Sequence, residues 1–326
     1  MSHPASADGS LEYRPLGSSG LRVSSVGVGC NAFGARIDAD RTSEVVEAAL
    51  EAGVTLFDTA DVYGGEPGLS ETLLGRALGD RRDDVVIATK FGGDMRGANG
   101  PDWGARGSRR YIRRAVDTSL RRLGTDWIDL YQMHNPDPTT PIAETLAALG
   151  ELVTAGKVRY IGSSNFTGWQ VVDADWTAQV AGHPAFVSAQ NKYSLYDRSA
   201  DADLVPACEH IGISLLPYFP LEYGLLTGKY TRGRPAPEGT RLALPTQARR
   251  LEGADFGRIE ALAAYAQERS VGLLDVAIGG LAAQPFIGSV IAGATSAEQV
   301  RTNVRAASWQ PTPDDLTALD ELTKTG

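Results

Sequence analysis

Val85-Val-Ile-Ala-Thr-Lys90 is an almost uninterrupted apolar run that ends in a charge. A strand with one wet face alternates apolar and polar residues, so this run predicts a parallel strand buried on both faces. Working outward, similar short runs recur at 25–29, 55–58, 127–134, 160–164, 186–191, 214–218 and 289–292. Stretches of helical period separate them, at 42–52, 69–78, 108–123, 145–155, 168–180, 204–210, 274–281 and 296–306. Eight strand-then-helix units are the number that closes a parallel barrel, so the expected fold is α/β, a (β/α)8 TIM barrel. Residues 12–16 and 21–23, around Gly17-Ser-Ser-Gly20, predict a β-hairpin capping one mouth. Two further helices are expected at 256–270 and 314–322. No linker or break in composition divides the chain, which predicts a single domain over 1–326 with 1–10 as a flexible tail.

The chain has 326 residues, 42% of them hydrophobic and 22% charged, close to the globular average. It carries 31 basic and 40 acidic residues, a formal charge of −9. So acidic a surface repels phosphate backbones, and nucleic acid is not an expected partner. The two cysteines, Cys30 and Cys208, are too few for a disulfide framework and read as free thiols of a reducing compartment. The first ten residues lack the basic and apolar regions of a secretory signal. The most apolar stretch, 271–295, contains Asp275, Gln284, Pro285 and several glycines, so no membrane span is expected. A cytoplasmic location follows as the expectation.

In such a barrel chemistry gathers at the carboxyl ends of the strands. Those ends carry Asp58, Lys90 and His134, with Tyr63 in the loop that follows Asp58. Lys90 is one of only five lysines, and lysine, unlike arginine, is a compact charge that can be discharged. Singly, each residue has a plain structural reading: a snorkelling ammonium, a helix cap, a rim aromatic, a core histidine. Together they suit one task, the reduction of a carbonyl with Tyr63 as proton donor. An ammonium about 4 Å from a phenol contributes about 4 kcal/mol at an effective dielectric of 20, or about three pKa units. Burial opposes that lowering. Asp58 would keep Lys90 charged and aimed, and His134 would steer the carbonyl oxygen. No histidine spacing suggests a metal site, and none is expected.

Residues 219–255 lack a core pattern and are rich in Pro, Gly and Arg. Loops this long are functional lids or solvated segments, and on an acidic protein an arginine-rich lid suggests an anionic ligand. Gly27-x-Gly29-x-x-Ala32 superficially matches a dinucleotide fingerprint, but no helix opens at its third position. No lysine has a tyrosine four residues before it, so a short-chain reductase pair is absent.

The residues resemble the aldo-keto reductases. The motifs that carry the likeness are Phe57-Asp-Thr-Ala-Asp-Val-Tyr-Gly64, Thr89-Lys-Phe91, Leu130-Tyr-Gln-Met-His134, Gly162-Ser-Ser-Asn-Phe166, Gly224-Leu-Leu-Thr-Gly-Lys-Tyr230 and Ala292-Gly-Ala-Thr-Ser296. The resemblance implies a (β/α)8 barrel that uses NADP(H), with NAD(H) as the alternative, to reduce an aldehyde or ketone. It implies a catalytic tetrad of Asp58, Tyr63, Lys90 and His134. Ser164, Asn165 and Gln190 would hold the nicotinamide carboxamide, and Tyr218 would stack on the ring. Gly29 and Asp58 are implied as further cofactor contacts. Phe219, Pro220, Leu221, Gly224 and Leu226 would follow the pyrophosphate, with Lys229 and Arg241 closing over it. Gly293, Thr295, Gln299 and Asn303 would take the adenosine end. Thr302 stands where family members commonly have Glu, and 293–299 carries no basic residue for a 2′-phosphate, leaving that role to Arg241 or Arg232.

Trp103, Trp169, Tyr193, Tyr196 and Tyr223 are candidates to line a substrate pocket. The expected partner is a small carbonyl compound. The rival reading is a cofactor-binding regulatory subunit resembling the β-subunits of potassium channels, which carry Asn where this chain has His134.

Overall fold

In the computed structural model, which describes residues 11–324, the chain closes into a parallel barrel of eight strands. A short antiparallel hairpin precedes it, β1 (Tyr13–Pro15) and β2 (Arg22–Ser24). The barrel strands are β3 (Val26–Gly29), β4 (Leu56–Asp58), β5 (Val86–Phe91), β6 (Ile128–Met133), β7 (Val158–Ser164), β8 (Phe186–Lys192), β9 (Ser214–Tyr218) and β10 (Val290–Gly293). They neighbour one another in chain order, and β10 pairs with β3 to complete the ring. Helices α1 (Ala39–Glu51), α2 (Leu69–Leu78), α3 (Arg109–Leu123), α4 (Ile142–Thr154), α5 (Gly168–Ala181) and α6 (Leu204–Ile211) follow the first six barrel strands. The seventh unit is longer: α7 (Ala248–Glu252), α8 (Phe256–Glu268) and α9 (Leu273–Ala282) precede β10. Helices α10 (Ala297–Ala306) and α11 (Pro313–Thr323) end the chain. The expectation for 1–10 lies outside the described residues.

Side chains alternate along a strand, and here the alternation builds the site. Leu56, Ala88 and Leu130 point inward and join Leu216 and Ile291 in an apolar layer inside the barrel. Two residues further along the same strands come Asp58, Lys90 and Gln132, with Lys90 in register with Gln132. A buried polar tier therefore lies directly above an apolar one. The intervening residues Phe57, Ile87, Tyr131 and Met133 face out and pack against the helices in the larger core.

The hairpin seals the amino end of the barrel. Leu16, Leu21 and Val23 belong to the same apolar cluster as the inner layer. Its turn needs Gly17, whose φ is +54° and whose added Cβ would lie 2.7 Å from the Val187 carbonyl oxygen.

The long segment after β9 has more structure than its composition suggested. It forms 3₁₀ turns at Glu222–Thr227, Arg241–Ala243 and Pro245–Gln247 before α7. Leu225, Leu226, Tyr230 and Leu242 are buried anchors within it. Their scattered spacing explains why no periodic pattern announces them. Among the described residues no helix is long and apolar enough to cross a membrane.

Candidate active site

Asp58 is the last residue of β4, Lys90 lies within β5, and His134 directly follows β6. The Lys90 ammonium donates to Asp58 Oδ2 at 2.7 Å and to the Thr59 carbonyl at 2.9 Å. Tyr63 Oη stands 3.5 Å from the same nitrogen. Asp58 Oδ1 accepts from the side-chain amides of Gln190, at 2.7 Å, and Gln132, at 3.1 Å. Lys90 and Asp58 are buried, and three donors to one carboxylate are what a buried charge requires.

The loop that carries Tyr63 continues the strand ladder. Thr59 N–H donates to the Ala88 carbonyl and Asp61 N–H to the Lys90 carbonyl. Gly64 then turns the chain at φ +117°, where a Cβ would lie 2.6 Å from the Ser70 nitrogen. Tyr63 and His134 meet edge to face, their ring centroids 5.8 Å apart.

Burial works against the Lys90 ammonium, but Asp58 and Tyr63 hold its pKa above the ordinary value. Tyr63 moves opposite to the lowering expected of it. Burial raises the phenol more than Lys90 lowers it, and Asp58 adds to the rise. It therefore stays protonated at neutral pH. Burial, then Lys90, pushes His134 down to about 3, leaving a neutral imidazole. Its Nδ1 is buried with no partner among the described residues.

Above this tier runs a groove of about 740 Å³. Gly29, Asp58, Tyr63, His134, Ser164, Asn165 and Gln190 line one part of it. Tyr218, Phe219, Pro220, Leu221, Gly224, Lys229 and Arg241 line another, and Gly293, Thr295, Gln299 and Asn303 the far end. Of the residues singled out from sequence, Lys90 lies behind Tyr63 and Leu226 turns into the core, so neither faces the groove. Asn165, with φ +60°, donates to the His134 carbonyl at 2.9 Å and accepts from Tyr218 Oη at 2.8 Å. Arg232 does not reach the groove: it pairs with Glu260 of α8 at 2.7 Å. Tyr223 is on the groove wall, whereas Tyr193 is fully buried and Trp103 and Trp169 are 76% and 65% exposed.

Sequence reading missed Asn31 and Arg36, which also line the groove from the loop after β3. It missed Gln132 too, whose inward register was the available signal. Behind the tetrad lies a second buried network. Asn99 donates to Asp61 at 2.9 Å, Thr89 to Glu71 at 2.7 Å, and Arg122 to Glu71 at 3.2 Å and to Asn99 at 3.3 Å. Burial, foremost, raises the pKa of both carboxyls.

Residues 25–324 match the model of the Aldo/keto reductase family. The chain is 34% identical to the uncharacterized oxidoreductase YrpG of Bacillus subtilis (strain 168), over 96% of each chain. It is 33% identical to a probable voltage-gated potassium channel subunit beta of Oryza sativa subsp. japonica, again over 96% of each. It is 32% identical to the L-glyceraldehyde 3-phosphate reductase of Escherichia coli (strain K12), over 91% of this chain and 88% of that one.

Proposed function

The chain belongs to the aldo/keto reductase family, and from that premise we propose that it is a cytoplasmic NADPH-dependent reductase that converts an aldehyde or ketone to an alcohol. The observation that carries the reading is the contact of Tyr63 Oη with Lys90 Nζ, beneath a groove of about 740 Å³ whose lining runs from the tetrad to the start of α10.

The residues present fit such a cofactor. Gly293 opens onto the groove, since a Cβ there would meet nothing nearer than 3.8 Å. Amide groups of Asn165 and Gln190 stand beside the tetrad, and Lys229 and Arg241 bring positive charge to the other wall. Ser164, Asn165 and Gln190 would hold the carboxamide, and Tyr218 would lie against the ring. Phe219, Pro220, Leu221 and Gly224 would face the pyrophosphate, and Gly293, Thr295, Gln299 and Asn303 the adenosine end. Bound there, a reduced nicotinamide supplies the hydride that the chain itself lacks.

The tetrad supplies the rest. His134, neutral because burial and Lys90 disfavour its charge, offers a hydrogen bond to the carbonyl oxygen. Tyr63 stays protonated until that oxygen gains negative charge, then gives up its proton. Lys90 stabilises the phenolate that remains, and Asp58 holds Lys90 in place.

Tyr63→Phe is the test. Removing a positioned proton donor is expected to lower turnover about 10²–10⁴-fold with a reactive aromatic aldehyde, while NADPH binding, read by fluorescence quenching, stays within about twofold. Turnover equal to the parent's would remove Tyr63 as the donor. The rival, a regulatory subunit, draws support from the likeness to probable channel subunits. His134 favours the enzyme, because an imidazole suits the carbonyl-steering role.

A further inference from the structure

Lys90 faces into the barrel, so its neighbour Thr89 faces the opposite way, toward the surrounding helices. There the Thr89 hydroxyl donates to Glu71 Oε1 at 2.7 Å. Glu71 stands in the first turn of α2, and Arg122 of α3 donates to its other oxygen, Oε2, at 3.2 Å. Thr89 and Glu71 are both fully buried. Burial pushes the Glu71 carboxyl up in pKa, and the Thr89 hydroxyl is the first group to oppose that rise. A buried carboxylate–guanidinium pair commonly returns no more than it costs to desolvate, and apolar residues of similar size would join helix to barrel as firmly. Packing alone does not call for this contact.

The residue before Glu71 reaches the loop that carries Tyr63. Ser70 N–H, an amide with no acceptor inside its own helix, donates to the Tyr63 carbonyl at 3.2 Å. The Ser70 hydroxyl lies 2.9 Å from that of Thr59 and donates to the Cys30 carbonyl at 2.8 Å. Thr59 in turn accepts the Lys90 ammonium at its carbonyl, and Asp61 N–H donates to the Lys90 carbonyl at 3.1 Å. Two consecutive residues of one helical turn therefore hold both sides of the Tyr63–Lys90 contact. Ser70 holds the loop with the phenol, and Glu71 holds the strand with the ammonium.

We propose that Glu71 is a positioning residue for the reduction, acting through Thr89 to fix Lys90 within reach of Tyr63. The assignment rests on the reductase reading above and adds to it two residues that do not line the groove. Lys90 Nζ and Tyr63 Oη stand 3.5 Å apart, at the outer limit of a hydrogen bond, so a small turn of β5 about its own axis breaks the contact. The step that suffers is proton donation, because Lys90 stabilises the phenolate that Tyr63 leaves behind. Binding of cofactor and carbonyl compound does not depend on it.

The test uses the full chain with NADPH and a reactive aromatic aldehyde, with rates corrected for the folded fraction. Thr89→Val keeps the shape of the side chain and removes the donor. Its kcat is expected to fall about 10–100-fold, the scale of a misplacement of about 1 Å, while KM and NADPH affinity stay within about twofold. The solvent deuterium isotope effect on kcat is expected to rise, since proton transfer becomes the slower step. Thr89→Ser, which keeps the hydroxyl, is expected to restore most of the rate. A double variant, Thr89→Val with Glu71→Leu, removes both polar partners at once, so its Tm should stay near the parent's while kcat remains low. Full kcat in Thr89→Val, or a fall with an unchanged isotope effect, would overturn the assignment. So would a double variant that recovers kcat together with Tm. A parent protein that does not turn over the aldehyde would instead sink the reductase reading, and this assignment with it.

Discussion

Lys90 is one of five lysines in a chain whose other basic residues are arginine, and it is the one sealed in the barrel. Only a small ammonium can reach Asp58, the Thr59 carbonyl and Tyr63 at once from inside a strand. His134 is its counterpart: near the same ammonium, it is kept neutral. That has a consequence for acid stability. The folded pKa of His134 lies below the ordinary 6.5, so the stability it confers is complete above about pH 6.5 and drains away as pH falls toward 3. His134→Asn is expected to flatten this acid limb, giving a variant up to a few kcal/mol less sensitive than the parent between pH 6.5 and 4, as followed by denaturant titration. Carbonyl reduction should fall in the same variant. The positions of Asp58, Lys90 and His134 at the barrel mouth were legible because strand ends in a repeating barrel announce themselves, and that of Tyr63 because it follows Asp58 in the next loop. The Asp61–Asn99–Arg122–Glu71 network was not, since its members lie in four separate segments and no spacing links them. The direction of the Tyr63 pKa was hidden as well, because it depends on how deeply the ring is packed.

Strand positions were legible to within two residues, because continuous apolar runs leave little freedom in where a buried parallel strand can sit. Helix starts were less so. Helix α1 begins at Ala39, three residues before the expected start, because Asp38 caps it by accepting from the Arg41 N–H. The long segment after β9 was the least legible element. Its order comes from isolated buried anchors and from arginine–aromatic stacking, including Arg250 at 3.9 Å from the Tyr223 ring centre. Close packing between helices makes its own demands. Gly75 of α2 lies against the end of α3, where an added Cβ would come 2.8 Å from Leu123 Cα and nearer still to its carbonyl group. Backbone cannot rotate away as a side chain can. Gly75→Ala is expected to cost about 1–3 kcal/mol in urea unfolding despite alanine's better helix propensity. A neutral or stabilising result would mean that α2 and α3 slide apart freely.

At the scale of the molecule, the groove is roofed by elements far apart in sequence: the loop after β3, the segment after β9 and the start of α10. Ligand binding should therefore order these together. Hydrogen exchange with and without NADPH is expected to show slowing at 30–37, 219–243 and 293–299, with the hairpin unaffected. Slowing restricted to one of the three would mean that the roof does not act as a unit. The hairpin matters for another reason. By packing Leu16, Leu21 and Val23 against the inner apolar layer, it stoppers the base of the barrel, and the buried polar tier opens toward the groove at the other end. Whatever lies deepest must arrive first and depart last. A dinucleotide threaded beneath the roof would thus stay seated while small carbonyl compounds come and go above it, and the pace of its escape would belong to the roof rather than to the chemistry.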